Sequence, residues 1–485
     1  MKNAQRGGSW DVLSGGDLER IHQASLSLLD NPGIFSESDL ILDLFQKGGG
    51  IVDRDARLIR VPPEMVAEAL RSAPKSFVLY GRDPEMDLLV EPGPVYYGMG
   101  GTSEPFFWDY ELGRPRQPVK ADMIRATRLA QALPNVDFVM ALCSAGDAPP
   151  GENFIHEYDA IFRNTTKPVV VSALGREYMH TFLEMAAAVS GGEAELRRRP
   201  WVVAYVTPVS PLRVTPLNEG MFEAAHLGIP IQYSPGPMMG ATAPVTVAGD
   251  LTQSNAEALF GLVQSQLIKP GIPFIYAPHT PAMDMATAQC TYGSVEQALG
   301  RAAVAQLGRF YSLPTFNTGA GVEAKLPDAQ AASEAMLGML LNGLAGMTLT
   351  QTMGTLASGL YGSLEMLVIC DEMAHMMKRV LRGIAVSDEN IGLDVIREVG
   401  HQGNFLAHDH TLAHFKQDMF FPVLFRRQTI DQWLERGAKS ILEVAHERLL
   451  AILEQPAPVL ISGKAEQALD EVLAARGKVK ERAGV

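Results

Sequence analysis

Eight short β-rich runs recur between residues 95 and 352: VYYGM from Val95, DFVMALC from Asp137, PVVVSAL from Pro168, VVAYVTP from Val202, PIQYSPG from Pro230, PFIYAPH from Pro273, PTFNTGA from Pro314 and GMTLTQT from Gly346. Successive runs start roughly 30 to 45 residues apart, which leaves room for a strand, a helix and two loops in each unit. Several runs are near-continuous hydrophobic stretches, as expected of strands covered on both faces. Eight such units in series make an α/β fold of one kind, a (β/α)8 TIM barrel.

The intervening sequence agrees. Ala121 to Ala132 has apolar residues at a period near 3.6 and stops before Pro134, and Asn255 to Ile268 stops before Lys269-Pro270-Gly271, so each is expected to be an outer-ring helix. Ahead of the barrel, Asp17 to Leu29, Ser38 to Gln46 and Pro63 to Arg71 read as helices joined by turns, with no competing strand pattern. Beyond it, Glu365 to Arg382 reads as a long helix and the remainder as further helix with a Lys- and Arg-bearing tail. The expected division is an N-terminal helical segment over 1–90, the barrel over 91–365 and a C-terminal helical extension over 366–485.

Barrels of this kind hold their sites at the C-terminal ends of the strands. The stretch GIPFIYAPHTPAMD, Gly271 to Asp284, is then informative, because a strand-like run breaks at once into Pro278, His279, Thr280 and Pro281. His279 is thereby placed on the rim, with Thr207, Ser234, Asn317, Thr350 and Gln351 at the ends of other runs. His279, Asn317 and Gln351 are the candidate catalytic residues. Aromatics make up only 7% of the chain, yet Tyr96, Tyr97, Phe106, Phe107, Trp108, Tyr205, Tyr233, Tyr276, Phe316 and Tyr361 fall near the same level. Ring faces with few acids between them suit a quaternary ammonium, which donates no hydrogen bond and is held by ring quadrupoles. Tyr97, Phe107, Tyr205, Tyr233, Tyr276 and Phe316 are the candidate substrate-binding rings, each with core packing as its plain alternative. Arg213, in TPVSPLRVTP, is a candidate partner for a substrate carboxylate, with a rim salt bridge as the alternative.

A net charge of −14 disfavours nucleic acid and anionic membrane as partners. Cys143, Cys290 and Cys370 lie far apart and suggest a reducing compartment. The N-terminus lacks the apolar stretch of a signal peptide and no run approaches a bilayer span, so a cytoplasmic protein is expected. HDHTLAH, His408 to His414, is rich in metal-ligand types, and CDEMAH sets Asp371 and His375 at i and i+4. Both lie beyond the last barrel strand, and no metal is assigned to them. Neither a phosphate-binding loop nor a dinucleotide fingerprint is present, since GMGG at Gly98 to Gly101 lacks the required following context; no tightly bound cofactor is expected.

LPNVDFVMALCSAGDAP (Leu133 to Pro149), NTTKPVVVSA (Asn164 to Ala173), KLPDAQAASEA (Lys325 to Ala335), SLEMLVICDEM (Ser363 to Met373) and GHQGNFLAHDHTLAHF (Gly400 to Phe415) occur in order along the chain. In these segments it resembles the trimethylamine methyltransferase family, in particular its members without pyrrolysine that act on quaternary amines such as glycine betaine. The resemblance implies a barrel that binds a methylated amine at its mouth and docks a separate corrinoid-binding protein, whose cobalamin Co(I) takes the methyl group. A quaternary ammonium leaves as a neutral amine without further activation, so the lack of pyrrolysine points to betaine-like donors: glycine betaine first, then proline betaine, carnitine or γ-butyrobetaine. A homo-oligomer is expected. Two other classes compete, a metal-dependent barrel hydrolase or lyase using His279 with Asp284 or the His408–His414 cluster, and a betaine-binding protein without catalysis.

Overall fold

The computed structural model describes residues 2, 5–172 and 174–483, the last seven by backbone alone. All eight expected strands form: β1 Pro94–Met99, β2 Phe138–Val139, β3 Val169–Ser172, β4 Val202–Val206, β5 Ile231–Tyr233, β6 Phe274–Tyr276, β7 Phe316–Thr318 and β8 Leu349–Met353. They pair in parallel in chain order, and β8 returns to β1 through Leu349 opposite Tyr96. Between β6 and β7 the ring closes on a narrow parallel bridge, Tyr276 with Thr315, and the Tyr276 amide donates to the Pro314 carbonyl at 2.9 Å. Each strand is followed by a helix: α1 Lys120–Ala132, α2 Asn153–Asn164, α3 Arg176–Ser190, α4 Gly220–Leu227, α5 Val247–Ile268, α6 Val295–Tyr311, α7 Ala329–Ala345 and α8 Leu364–Leu381. α5 starts eight residues before the sequence expectation, because the Thr246 side chain caps it by accepting from the Gly249 amide.

Strand alternation sorts the core into two sets. One lies between sheet and helices and includes Val139, Val169, Val171, Ala204, Ile231 and Phe274. The other fills the lumen with Tyr96, Phe138, Met140, Val170, Val203, Tyr205, Ile275, Ala277, Phe316 and Leu349. On β1, Gly98 is the lumen position opposite Phe138, and a β-carbon there would lie 2.3 Å from the Phe138 ring. Gly98→Ala is therefore expected to destabilise by about 1–3 kcal/mol through overpacking, read as a lower denaturation midpoint at unchanged m-value.

The helical segment expected ahead of the barrel is present and carries short strands as well. Its three helices are present, at Gly15–Asp30, Asp39–Lys47 and Pro63–Ser72. Short strands run between them: Ile51–Asp53 pairs antiparallel with Leu58–Arg60, which pairs with Ile34–Ser36, and that strand pairs in parallel with Arg213–Val214. A second hairpin joins Phe77–Leu79 to Leu88–Val90. Each strand has three residues or fewer, too few to display a period-2 pattern. The second hairpin closes the N-terminal end of the barrel. Leu79, Leu88 and Val90 pack with the lumen residues, and the Tyr96 hydroxyl accepts from the Leu89 amide and donates to the Leu89 carbonyl, both at 3.2 Å.

After α8 the chain makes an excursion of short helices and returns. Ile441–Leu453 packs on α8 and α1, and Gly463–Ala483 packs on α3. Among the described residues, no helix is long and apolar enough to cross a membrane.

Candidate active site

With its N-terminal end plugged, the lumen changes character toward the other end. The registers set Ser172 opposite Tyr205, Tyr205 opposite Gln232 and Gln232 opposite Ile275, so polar groups of β3, β4 and β5 stand side by side above the apolar layers. Thr318 and Gln351 are paired in the same way on β7 and β8. Gln232 donates to the Ser234 hydroxyl at 3.1 Å, and the Tyr205 hydroxyl interacts with Thr207 and Ser234. The Tyr205 ring meets Phe316 edge-on with centroids 6.3 Å apart, and Phe316 lies 6.0 Å from Phe138.

His279 is buried just past β6, held by its own amide donating to the Pro235 carbonyl at 2.7 Å. Asn317 fixes the same lip from the next strand: its side-chain amide donates to the Pro278 carbonyl at 2.8 Å, while its oxygen accepts from the Thr318 amide. The His279 imidazole keeps Nε2 without a partner, and the side-chain oxygens of Gln232 and Gln351 are likewise unpartnered and buried. Buried polar atoms are ordinarily hydrogen-bonded, so this group has capacity left for a ligand. Burial, and then the Arg301 charge, push the His279 pKa down to about 4. The ring is neutral at physiological pH and presents a hydrogen bond without a charge.

Of the residues expected from sequence, His279, Asn317, Gln351, Tyr205 and Phe316 gather at this end of the lumen or its lip. The other five do not. Tyr97, Tyr233 and Tyr276 point outward into the helix layer: a β-carbon on Gly343 would lie 3.1 Å from the Tyr97 hydroxyl, one on Gly261 would enter the Tyr233 ring, and Tyr276 donates to Asn255 at 2.7 Å. Each is one residue out of phase with the lumen positions. Phe107 sits in a loop sheet beneath the Arg116 guanidinium, 5.2 Å from the ring centroid, with Arg116 paired to Asp109 and Asp122. Arg213 is a rim residue paired with Glu37 at 3.2 Å.

The structure adds residues that sequence reasoning passed over. Arg301, in α6, is buried and donates to the Tyr292 carbonyl and the Thr318 hydroxyl, both at 3.1 Å, leaving Nε unpartnered. Burial lowers its pKa to about 10, so it stays charged, and Glu323 is the carboxylate acting on it. Tyr292 lies over the loops after β7 and β8, against Gly321 and Gly359. Glu104, after β1, is buried, accepts from Thr355 at 2.7 Å and keeps its second oxygen unpartnered. Burial, augmented by the nearby Glu157, pushes its pKa up to about 8. Glu157, on the second turn of α2, accepts from the Ala145 amide at 3.3 Å, also keeps one oxygen free, and is pushed by burial up to about 7. No local pattern marks these side chains, because Glu104, Glu157 and the Tyr292–Arg301 pair come from three different βα units.

The two histidine constellations lie elsewhere. His408 caps the helix Asp409–Asp418, and the His410 and His414 rings are 4.3 Å apart on the excursion after α8. Asp371 accepts from the Asn135 amide at 2.8 Å, and His375 packs on Phe420. Among the described residues, no three His, Cys, Asp or Glu side chains converge as a metal-binding group would.

The family model described as trimethylamine methyltransferase (MTTB) matches residues 2–480. A trimethylamine methyltransferase, MttB, of Desulfitobacterium hafniense (strain DSM 10664 / DCB-2) is 35% identical over 447 residues, covering 91% of this chain and 89% of that protein. A glycine betaine methyltransferase of Desulfitobacterium hafniense (strain Y51) is 30% identical over 475 residues, covering 97% and 98%. Among solved structures, the monomethylamine methyltransferase of Methanosarcina barkeri (MtmB) has a TM-score of 0.48 at 15% identity, covering 98% of this chain and 95% of that one.

Proposed function

Because the chain belongs to the trimethylamine methyltransferase (MTTB) family and is a methyltransferase, we propose that it takes a methyl group from a quaternary amine, glycine betaine first, and passes it to the corrinoid of a separate protein docked over the mouth. The observation that carries this reading is the pairing, at one end of the lumen, of ring faces with unpartnered hydrogen-bonding groups. Tyr205 and Phe316 offer faces and edges to a trimethylammonium head, worth about 0.5–2 kcal/mol per ring. His279, with the Arg301 charge behind it, favours the carboxylate at the other end of a betaine. The residues of this chain bind and orient, holding the N-methyl carbon toward the opening.

When its carrier docks, the corrinoid supplies the electron pair for the new bond to the methyl carbon. The carbon–nitrogen bond breaks with its electrons staying on nitrogen, so the amine leaves neutral and no proton is needed. Positive charge on nitrogen falls as the bond breaks. Neutral rings suit this better than an ionised acid would, because an interaction stronger in the ground state than in the transition state slows the step.

A second reading has its own observation. Glu104 and Glu157 each keep a buried oxygen free, and a protonated tertiary amine has an N–H that such an oxygen accepts, whereas a quaternary amine has none. Trimethylamine, the substrate named for the 35% identical relative, is the donor on this reading. Incubating the protein with Co(I) cobalamin and each amine, and following methylcobalamin spectroscopically, separates the two: glycine betaine, proline betaine, carnitine or γ-butyrobetaine methylates cobalt on the first, trimethylamine on the second. Tyr205→Leu is expected to weaken binding of the active quaternary amine about tenfold while changing binding of its demethylated product less, measured by calorimetry. Equal losses on both ligands would remove Tyr205 from the cation site.

A further inference from the structure

The connection from β6 to α6 folds back on itself before it reaches the helix. Ala282–Met283 pairs antiparallel with Cys290–Thr291, and the Asp284 carboxylate closes the exposed turn between them by accepting from the Ala286 and Thr287 amides at 3.1 and 2.8 Å. This hairpin spans the rim. Toward β5, the Met239 amide donates to the Pro281 carbonyl at 2.8 Å and the Met283 amide to the Met239 carbonyl at 3.1 Å. Toward β7 and β8, Tyr292, just past the hairpin, fits where Gly321 and Gly359 carry no side chain: a β-carbon on Gly321 would lie 3.4 Å from the Tyr292 Cβ, and one on Gly359 3.2 Å from its ring Cε2.

The backbone under this ring is fixed on both sides. The amides of Tyr292 and Gly293 donate to the Glu323 carboxylate, the second of them at 2.8 and 2.9 Å, and the Tyr292 carbonyl accepts from Arg301 at 3.1 Å. The ring itself is uncommitted. It is half-buried, and among the described residues its hydroxyl has no hydrogen-bond partner, whereas a buried tyrosine that braces a fold ordinarily finds one. Burial, then Cys290, Tyr205 and Glu104, push the Tyr292 pKa up. Tyr205 belongs to β4 and Glu104 to the loop after β1, so groups from well-separated strands act on this one hydroxyl, and the ring is turned toward the lumen.

We infer that Tyr292 contacts the substrate as a third aromatic wall of the cation site, on the mouth side of Tyr205 and Phe316. The inference rests on the quaternary-amine reading. A trimethylammonium head carries its charge behind methyl groups on several sides, and the strand residues Tyr205 and Phe316 cover it only from below. A ring carried by a βα loop covers it from above. Because Glu323 and Arg301 hold the backbone in place before ligand arrives, little ordering is left to oppose binding.

Titration calorimetry on the full chain tests this with two ligands, glycine betaine and 3,3-dimethylbutanoate, its carbon isostere, which has the same shape and carboxylate but no cation. The wild type is expected to prefer the betaine. Tyr292→Leu is expected to cut that preference at least about fivefold with the circular dichroism unchanged, and Tyr292→Phe to keep it within about twofold, since the ring face and not the hydroxyl holds the cation. Equal weakening of both ligands in Tyr292→Leu would make the ring a brace for the loops and overturn the inference, while the quaternary-amine reading would stand. A phenylalanine variant that behaves like the leucine one would make the hydroxyl the contact and overturn it as well. A wild type without preference for the betaine would remove the cation site, and the reading and the inference together.

Discussion

His279→Ala is expected to lower the turnover of methyl transfer at least about tenfold while leaving the unfolding transition in place. Its Nε2 is buried and without an internal partner, so removing the ring deletes the proposed bond to ligand and breaks none made by that nitrogen to protein. A hydrogen bond to a charged group is worth about 1.5–3 kcal/mol, which sets the scale. The pH dependence is part of the expectation. With its pKa pushed down to about 4 by burial and Arg301, the folded-state imidazole remains neutral throughout pH 5 to 8 and contributes no inflection to the rate there. A steady-state profile with a limb near pH 6.5 that vanishes in His279→Ala would show a solvated, titrating ring instead. Wild-type kinetics in the variant would take His279 out of the site.

Glu104→Gln is expected to stabilise the protein increasingly as pH rises. The carboxyl has an ordinary value of 4.5 in the unfolded chain and is pushed up to about 8 in the fold, chiefly by burial. Between these values the folded protein keeps a proton that the unfolded chain has released, so this group's contribution falls as pH increases across the window. Glutamine mimics the protonated form and escapes the penalty. The two proteins should match near pH 4.5 and diverge toward pH 8 by on the order of 3 kcal/mol, read from urea midpoints. If the gap stays flat, Glu104 is ionised in the fold and paired. In the methylation assay the same variant separates the donors: trimethylamine would lose activity, and a betaine would not.

Where strands were covered on both faces, the sequence announced them. PVVVSAL and VVAYVTP stand out because a buried parallel strand has no polar face to dilute it. The same property hid which residues face inward. Along such a run apolar residues occupy both faces, so Tyr205, Tyr233 and Tyr276, on the successive strands β4, β5 and β6, looked alike, although one lines the lumen and two brace the helices. His279 was legible for a different reason, since prolines on both sides left it no place in strand or helix. Asn317 and Gln351 were legible as polar ends of apolar runs. Arg301, Glu104 and Glu157 were not, because Arg301 is set in the helical run QALGRAAVAQLGRF and the two acids show their burial only once loops from separate units close over them. The small hairpins before the barrel escaped because three residues cannot establish a period.

The hairpin that seals the far end of the barrel has a kinetic meaning. A chamber with one door admits its guest and releases it through the opening that any large acceptor must cover. On the proposed function, amine entry would precede docking, and departure of the spent amine would wait until the acceptor has withdrawn. On that reading the acceptor, at high concentration, blocks the empty form in competition with the amine and retains the spent amine by capping the form that holds it.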